Sequence, residues 1–539
     1  MAARTLIFRA DANRRIGTGH LMRCLALAHA WQAAGGRAVF VSCCPVKSLR
    51  DRIEHSGADL IDLESPWPDP RDPAVTCDLL TDGQAAAGTS RAARPWVVLD
   101  GYHLDADYQR RIRTVGGRLL VIDDMGHLPR YHADLLLNQN PSAEHIDYLC
   151  DPEPIWLSGP RYALLRPEFQ QRNACGPEPP KTARKLLVAA GGADPENVTS
   201  TLMRALGKMD VPGLQARVVV GAANPHGDAL HAQLPGAAGR IRLLVDVPDL
   251  SALMAWADVA VSAAGGTVWE LARMQVPAAV FVLADNQERI ARRLADADVV
   301  TGLGRFDQLT PQQVAQKLTA LCRDPIRRAS QIEAGRRLVD GQGAWRVAAV
   351  IRAWDGPLPD DRLGLRPVAA DDVWQLWRLA NDPAVRRVSL VSQARIPRRE
   401  HQAWFEARLA SRDTRIWVLD FQGLILGVIR YERTGSDAAD ISIHVASAFR
   451  RRGLATRLLN ETQRLAASEL GAACFRAVVR RENHPSARTF AKAGYASVDA
   501  RPINGQPCLV FERMVSAEVL GPREDRPLPC SKEGLAREA

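Results

Sequence analysis

The chemistry of this chain begins at Gly17-Thr-Gly-His20, where a histidine follows a pair of closely spaced glycines and Arg23 lies three residues further on. Glycines let the backbone come close to a ligand, and the first turn of a helix presents free N–H groups with partial positive charge. An imidazole there can reach the same ligand and take a proton from it, because histidine changes charge near neutral pH. The same spacing also reads as an ordinary strand-to-helix turn with a structural histidine. Three further clusters follow apolar runs in the same way: Asp100-Gly-Tyr102, Gly191-Gly-Ala-Asp194 and Ser262-Ala-Ala-Gly-Gly-Thr267. The N–H groups around Gly192, Gly265, Gly266 and Thr267 could cradle a diphosphate. Glu270, one turn into the next helix, could accept both hydroxyls of a ribose, and Asn286 and Gln287 follow the next strand within reach of phosphate or sugar. Neither GxGxxG nor GxxxxGK[ST] occurs, so the glycines do not announce a dinucleotide or a P-loop site.

A second constellation lies far downstream. Arg450-Arg451-Arg452-Gly453-Leu454-Ala455 fits [QR]-x-x-G-x-[GA] ahead of a long helical stretch, and Asn483-His-Pro-Ser-Ala-Arg-Thr-Phe490 follows the next strand. Free N–H groups with glycine at the close contact suit a pyrophosphate, and the arginines add charge at its rim. A basic run of this kind is also a common way to start a solvated helix.

The elements that must position these residues are legible as alternating periods. Strands are expected at Leu6–Phe8, Ala38–Ser42, Trp96–Leu99, Leu119–Ile122 and Leu135–Leu137, interleaved with amphipathic helices. A Pro-rich linker is expected over residues 173–181. A second βα series has strands at Lys185–Ala189, Ala216–Val220, Ile241–Val245, Val259–Ser262 and Ala279–Leu283. The fold class expected is α/β, with two doubly wound Rossmann-like domains whose cleft lies at the strand C-termini. After Asp355-Gly-Pro-Leu-Pro-Asp360 the order changes. Helices near Ala370–Ala380 and Arg398–Ala410 precede strands Ile416–Asp420, Leu424–Tyr431 and Asp440–Val445. A helix near Gly453–Ala467, a strand Cys474–Val479 and a helix near Pro485–Ala493 then complete an α+β domain. The domains expected are residues 1–172, 182–354 and 361–516, with a polar tail over 517–539.

Composition narrows the class. The 539 residues include 70 basic and 61 acidic ones, giving a net charge of +9 that is dispersed rather than clustered. Nucleic-acid binding would need clustered Lys/Arg with interleaved aromatics, so an anionic small substrate is the expected partner. No uninterrupted run of about 18 apolar residues points to a membrane span, and the N-terminal dozen lacks the regions of a secretory signal. The ten cysteines include no CxxC pair, so neither zinc nor a disulfide framework is expected, and reduced thiols in cytoplasm account for them.

The segments RADANRRIGTGHLMRCLALA, VVLDGYHLD, VIDDM, LLLNQN, LSGPRYALLRPEF, GGADPEN and SAAGGTVWEL resemble the UDP-sugar hydrolases of pseudaminic acid biosynthesis, over about Thr5 to Trp354. That family acts on UDP-2,4-diacetamido-2,4,6-trideoxy-β-L-altropyranose and is similar to the glycosyltransferase of peptidoglycan lipid II synthesis, a two-domain glycosyltransferase-B fold. The resemblance implies that UDP is held mainly by the second domain. It implies inverting hydrolysis at the anomeric carbon without a metal, with His20 taking a proton from water. Asp11, Tyr102 and Arg166 match family motif positions on the sugar side of the cleft, and Gly17, Gly19 and Arg23 are further substrate-binding candidates.

The stretch from about Arg362 to Met514 resembles the GNAT N-acetyltransferase superfamily, including enzymes that acetylate UDP-linked 4-amino sugars and others that acetylate ribosomal proteins. That resemblance implies acetyl-CoA as co-substrate, held by Arg450 to Ala455 and Asn483, with backbone N–H groups around Val445 and Ala446 facing the thioester carbonyl. Many relatives carry Tyr where this chain has Phe490, so Tyr495 or a water is left as the acid for the thiolate. His444 and Glu482 are open as bases. The combined expectation is a cytoplasmic bifunctional enzyme that acetylates a UDP-4-amino sugar and then removes UDP, feeding a nonulosonic acid used on surface glycans or flagellin. A UDP-sugar glycosyltransferase fused to an acetyltransferase, or a nucleotide-sugar-binding protein with a protein-acetylating domain, are the alternatives. Monomer or homodimer stays open.

Overall fold

Parallel strands buried on both faces read as continuous apolar runs, and the first strand, TLIFRA, is buried along nearly its whole length. The computed structural model describes residues 4–87, 94–141, 143–171, 178–233 and 240–515. The expected tail over 517–539, and most of the expected linker, lie outside the described residues. Two compact units divide at Asp355 and Gly356.

The first unit holds two parallel sheets. One contains β1 (Thr5–Ala10), β2 (Arg37–Ser42), β3 (Asp59–Asp62), β4 (Trp96–Asp100), β5 (Arg118–Ile122), β6 (Leu135–Asn138) and β7 (Ile155–Ser158), in the order 3-2-1-4-5-6-7. The other contains β8 (Lys185–Ala189), β9 (Gln215–Val220), β10 (Ile241–Val245), β11 (Val259–Ala263), β12 (Ala278–Val282) and β13 (Thr301–Arg305), in the order 10-9-8-11-12-13. Strand order reverses between β1 and β4 and again between β8 and β11. Loops leaving such neighbours run to opposite faces and open a crevice at the strand C-termini. All four sequence clusters of this unit follow one of these four strands. Strands β3, β7 and β13 were not expected from the sequence.

One boundary differs from expectation. The helix Gly343–Asp355 follows the second sheet in sequence but packs against the helix Gly19–Ala33 of the first lobe. Trp354 meets Trp96 edge-on at 5.4 Å, and Arg352 donates to the Ala34 carbonyl at 2.5 Å. A Cβ on Gly343 would collide with backbone at Tyr162 and Ala163, so only glycine allows this approach.

The second unit is a mixed sheet of β14 (Leu363–Pro367), β15 (Thr414–Phe421), β16 (Leu424–Arg433), β17 (Ala438–Val445), β18 (Cys474–Arg480), β19 (Ala496–Ile503) and β20 (Gln506–Met514), ordered 14-15-16-17-18-20-19. Its neighbours are antiparallel except β17 and β18, which run parallel and pair only over Ala438–Asp440 against Cys474–Arg476. Beyond those residues the two strands continue unpaired to Val445 and Arg480, so they part. The helix Leu454–Leu470 packs its buried face, including Leu458, Thr462 and Ala466, on β15, β16 and β17.

Candidate functional site

Helix α1 (Gly19–Ala33) starts directly after the glycine loop, which fixes His20 in its first turn and Arg23 one turn on. His20 is 9% exposed, and its Nδ1 lies 2.6 Å from Oδ1 of Asp100, the last residue of β4. Arg23 closes on the same carboxylate from the other side, Nε to Oδ2 at 2.5 Å and Nη2 to Oδ1 at 2.7 Å, and its Nη1 reaches Asp124 at 2.7 Å. Burial alone would raise the Asp100 carboxyl. The Arg23 and His20 charges and hydrogen bonds outweigh it and hold the group at about 2. An ionised Asp100 takes the proton-bearing Nδ1 of His20, which leaves Nε2 as the ring's free acceptor. Tyr102 meets the His20 ring edge-on at 5.0 Å and the His127 ring at 5.5 Å. Its hydroxyl donates to Asp124 at 3.3 Å and accepts from Asn286 of the second lobe, also at 3.3 Å.

Two sequence expectations need correction. Asp11 is fully buried, with its oxygens engaged by Arg9 (2.5 and 2.9 Å), His103 Nε2 (2.8 Å) and the Cys43 N–H (2.7 Å). Its carboxyl sits at about 2: burial would raise it, and His103 and Arg9 hold it down. It supports the loop from beneath, with both oxygens taken by Arg9, His103 and the Cys43 N–H. Arg23 likewise spends its guanidinium on Asp100 and Asp124, so it positions the histidine's partner instead of offering charge to a substrate.

Gly17 has φ +82 and opens its turn, and neither it nor Gly19 has a neighbour where a side chain would stand. Gly192 is packed differently: a Cβ there would collide with Thr18 Oγ1, so the glycine turn after β8 lies against the loop that carries His20. Gly265 and Gly266 face open space, and Gly266 caps the helix Thr267–Arg273, whose first turn carries Glu270. Burial raises the Glu270 carboxyl, and Arg166 offsets part of that. Arg166 lies 2.6 Å from Glu168 and 3.5 Å from Glu270, so it stands beside the ribose candidate and bridges the two lobes. The Gln287 side-chain oxygen accepts from the Leu283 N–H at 2.9 Å, leaving its NH₂ for other partners. Sequence reasoning placed Asp100 in a cluster without giving it a role, and it gave none to Asp124 or His127. A signal existed: acids end β4 and follow β5 at the crevice.

In the second unit the site is made of backbone. Val445 stands opposite Gly427 and His444 opposite Val428, and the Ala446 N–H donates to the Leu426 carbonyl at 2.9 Å. N–H directions alternate along an antiparallel pair. His444 and Ala446 therefore face β16, while the Val445 N–H faces the side from which β18 has parted. Ala446, expected to share the contact with a thioester, has its N–H taken. Arg450 Nε donates to the Val445 carbonyl at 3.0 Å and Arg452 Nη1 to the Gly356 carbonyl at 3.0 Å. Arg451 and Gly453 both take positive φ, +64 and +78, so the loop turns its N–H groups inward ahead of Leu454 and Ala455 in the helix. Asn483 caps the helix His484–Lys492 by accepting from the Ser486 N–H at 3.3 Å.

Tyr495, expected as a source of the proton for the thiolate, is buried. Its ring is 3% exposed, packed edge-on against Phe490 at 5.3 Å, and its buried hydroxyl has no hydrogen-bond partner. Burial raises its phenol, with Tyr431 and Cys474 as charged-form neighbours. Cys474 begins β18, so Tyr495 sits at the paired end of the strands and not at the parted end. His444 is held down to about 4 by burial and then by Arg430, Arg450 and Arg386. Among the described residues no group of His, Cys, Asp and Glu could hold a metal ion, and no helix is long and apolar enough to cross a membrane.

Comparisons with known proteins follow this division. Residues 362–496 match the model of the acetyltransferase (GNAT) domain, and residues 232–340 that of the glycosyltransferase family 28 C-terminal domain. The spore coat polysaccharide biosynthesis protein SpsG of Bacillus subtilis is 28% identical over 36% of this chain, which spans 57% of that protein's length. The UDP-2,4-diacetamido-2,4,6-trideoxy-beta-L-altropyranose hydrolase of Campylobacter jejuni is 25% identical over 54% of this chain and 96% of its own. Among solved structures, MurG of Acinetobacter baumannii aligns with 16% identity over 65% of this chain and 99% of that one, at TM-score 0.45. The chain joins a unit similar to UDP-sugar hydrolases, built as two Rossmann-like domains, to a GNAT acetyltransferase domain.

Proposed function

We propose that this chain carries out two consecutive steps on one sugar nucleotide. In the second unit the free 4-amine of a UDP-linked amino sugar attacks the carbonyl of acetyl-CoA. The Val445 N–H and the loop from Arg450 to Ala455 hold the thioester and the pyrophosphate of coenzyme A, the C–S bond breaks, and the thiolate leaves as the amine proton passes to water. In the first unit His20 Nε2 takes a proton from a water as it attacks the anomeric carbon. The bond from that carbon to the diphosphate oxygen breaks, and UDP leaves with the electron pair. Charge on the leaving diphosphate falls on the N–H groups around Gly265, Gly266 and Thr267. Glu270 takes the ribose hydroxyls, while Asn286 and Tyr102 stand at the sugar. The sugar nucleotide of this reading is the UDP-4-amino-4,6-dideoxy-N-acetyl-β-L-altrosamine of pseudaminic acid biosynthesis, and the products are UDP and the free diacetamido sugar in the cytoplasm.

The observation that carries the reading is the 2.6 Å contact between His20 and the buried Asp100 at the crevice between β1 and β4. The relation to the Campylobacter hydrolase supports the substrate class, and the acetyltransferase domain match supports the preceding step. Incubating the full chain with the UDP-4-amino sugar, with and without acetyl-CoA, tests it by mass and NMR. Acetylation followed by UDP loss is expected. UDP release from the amino sugar at one rate whether or not acetyl-CoA is present would overturn the order of steps.

A further inference from the structure

A cavity of about 650 Å³ opens in the first unit at a place the proposed chemistry does not use. That volume is in the range of small-ligand sites. Three segments line it. The first is the turn after β1, pinned by Asn13 Oδ1, which accepts the Arg15 and Ile16 N–H groups at 2.8 Å each, so that Arg14 and Arg15 project from its tip. The second is the start of the helix Lys47–His55, where Lys47 and Ser48 line the cavity and no side chain caps the helix. The third is Ala222 and Ala223 after β9, and the Ala223 N–H donates to the Gly192 carbonyl at 3.1 Å.

The cavity therefore has one wall from each lobe and adjoins the glycine turn after β8. Its lining holds two guanidiniums and an ammonium and no carboxylate. Among the described residues, no ion pair is formed by Arg14, Arg15 or Lys47. Arg52, from the same helix as Lys47, is paired: it donates to Asp246 at 2.6 Å and to the Val247 carbonyl at 3.2 Å, fastening that helix to the second lobe. Three unneutralised cations around one concave space, with the free N–H groups of a helix start, make a field that concentrates anions. Guanidinium forks match phosphate oxygens two at a time.

We propose that this cavity binds a phosphate-bearing anion clamped between the two lobes by Arg14, Arg15 and Lys47. The anion is a phosphate compound separate from the sugar nucleotide, whose diphosphate the proposed function seats at Gly265, Gly266 and Thr267, none of which lines this cavity. The proposal does not rest on hydrolysis, so its test reads binding.

Pyrophosphate titrated calorimetrically into the full chain is the probe. The wild type is expected to bind it, the Arg14→Ala/Arg15→Ala double variant at least about tenfold more weakly, and Lys47→Ala more weakly than wild type. Arg464→Ala, an exposed arginine of the other unit, is expected to match wild type. Repeating the titration with saturating UDP identifies the source. Binding retained in the presence of UDP is expected, and binding abolished by UDP would overturn a separate site. Wild-type binding too weak to detect, or equal binding by wild type and the double variant, would overturn the proposal. Loss of UDP release in a His20 variant bears on hydrolysis alone, so the two readings fail separately.

Discussion

The two units solve the same problem with opposite materials. In the first, the His20 imidazole is held by side chains. His20, Asp100, Arg23 and Asp124 form a chain of charge from α1 to the loop after β5, with every link at 2.7 Å or less. In the second, the contact proposed for a thioester is a backbone N–H, on the side where β17 and β18 stop pairing after Asp440 and Arg476. Side-chain sites depend on residue identity and break with single substitutions. Backbone sites depend on register and conformation, and tolerate changes of side chain that leave φ and ψ alone.

The largest effect expected follows from that contrast. His20→Ala and Asp100→Asn should each lower UDP release by about 10²- to 10⁴-fold, with the double variant little worse than either single one because the pair acts as a unit. Acetyl transfer should be unchanged in all three. Additive losses measured by steady-state kinetics would break the dyad. Asp100→Ala should also destabilise the first unit by about 3 kcal/mol, since it leaves the buried Arg23 guanidinium with Asp124 as its one remaining carboxylate. The urea midpoint of that unit checks this.

Acid gives a smaller effect of known sign. The Asp100 carboxyl lies at about 2 in the folded chain against 3.8 for an unhindered aspartate. A depressed carboxylate stabilises the fold fully above the unfolded value, and that stabilisation is lost as pH falls from about 4 towards 2, roughly 2 kcal/mol in all. Denaturation followed against pH should show a loss about 2 kcal/mol smaller in Asp100→Asn than in wild type, with the Asp11 carboxyl, also held at about 2, contributing to what remains.

Smaller still are the changes in the second unit. Gly453 has φ +78 with no neighbour where a Cβ would stand, so Gly453→Val meets backbone strain and no clash. About 1–2 kcal/mol of strain should raise the KM for acetyl-CoA about tenfold. Tyr495→Phe should leave acetyl transfer within about twofold. It should hold or slightly raise the Tm, because the buried hydroxyl has no partner to lose.

Much of this was legible along the chain, and what was not has physical causes. The buried strands beside the switch points, such as β1 and β11, announce themselves as apolar runs. Edge and polar strands do not: β3 reads DLID and is half exposed, β13 reads TGLGR with two glycines, and β19 reads ASVDARPI on an exposed edge. The helix Gly343–Asp355 returns to the first lobe, which sequence order hides. At the site, His20 stood out because glycines flank its turn. Asp100 stood at the end of a strand 80 residues away, and only the β1–β4 pairing brings it to the imidazole. Asp11 matched a family motif yet is buried beneath the loop, because a motif marks what a site needs without saying which layer holds it. Tyr495 and Val445 sit at opposite ends of the strand pair. Which end of β18 a residue sits beside is set by where pairing stops, and no spacing in the sequence records it.

The most direct test of the central claim is UDP release by the full chain in ¹⁸O-labelled water, with the acetylated UDP-sugar as substrate and His20→Ala alongside. The account predicts label in the free sugar at its anomeric oxygen, none in UDP, and release in the variant reduced by at least about a hundredfold. Label in the UDP phosphate, or near-normal release by His20→Ala, would contradict it.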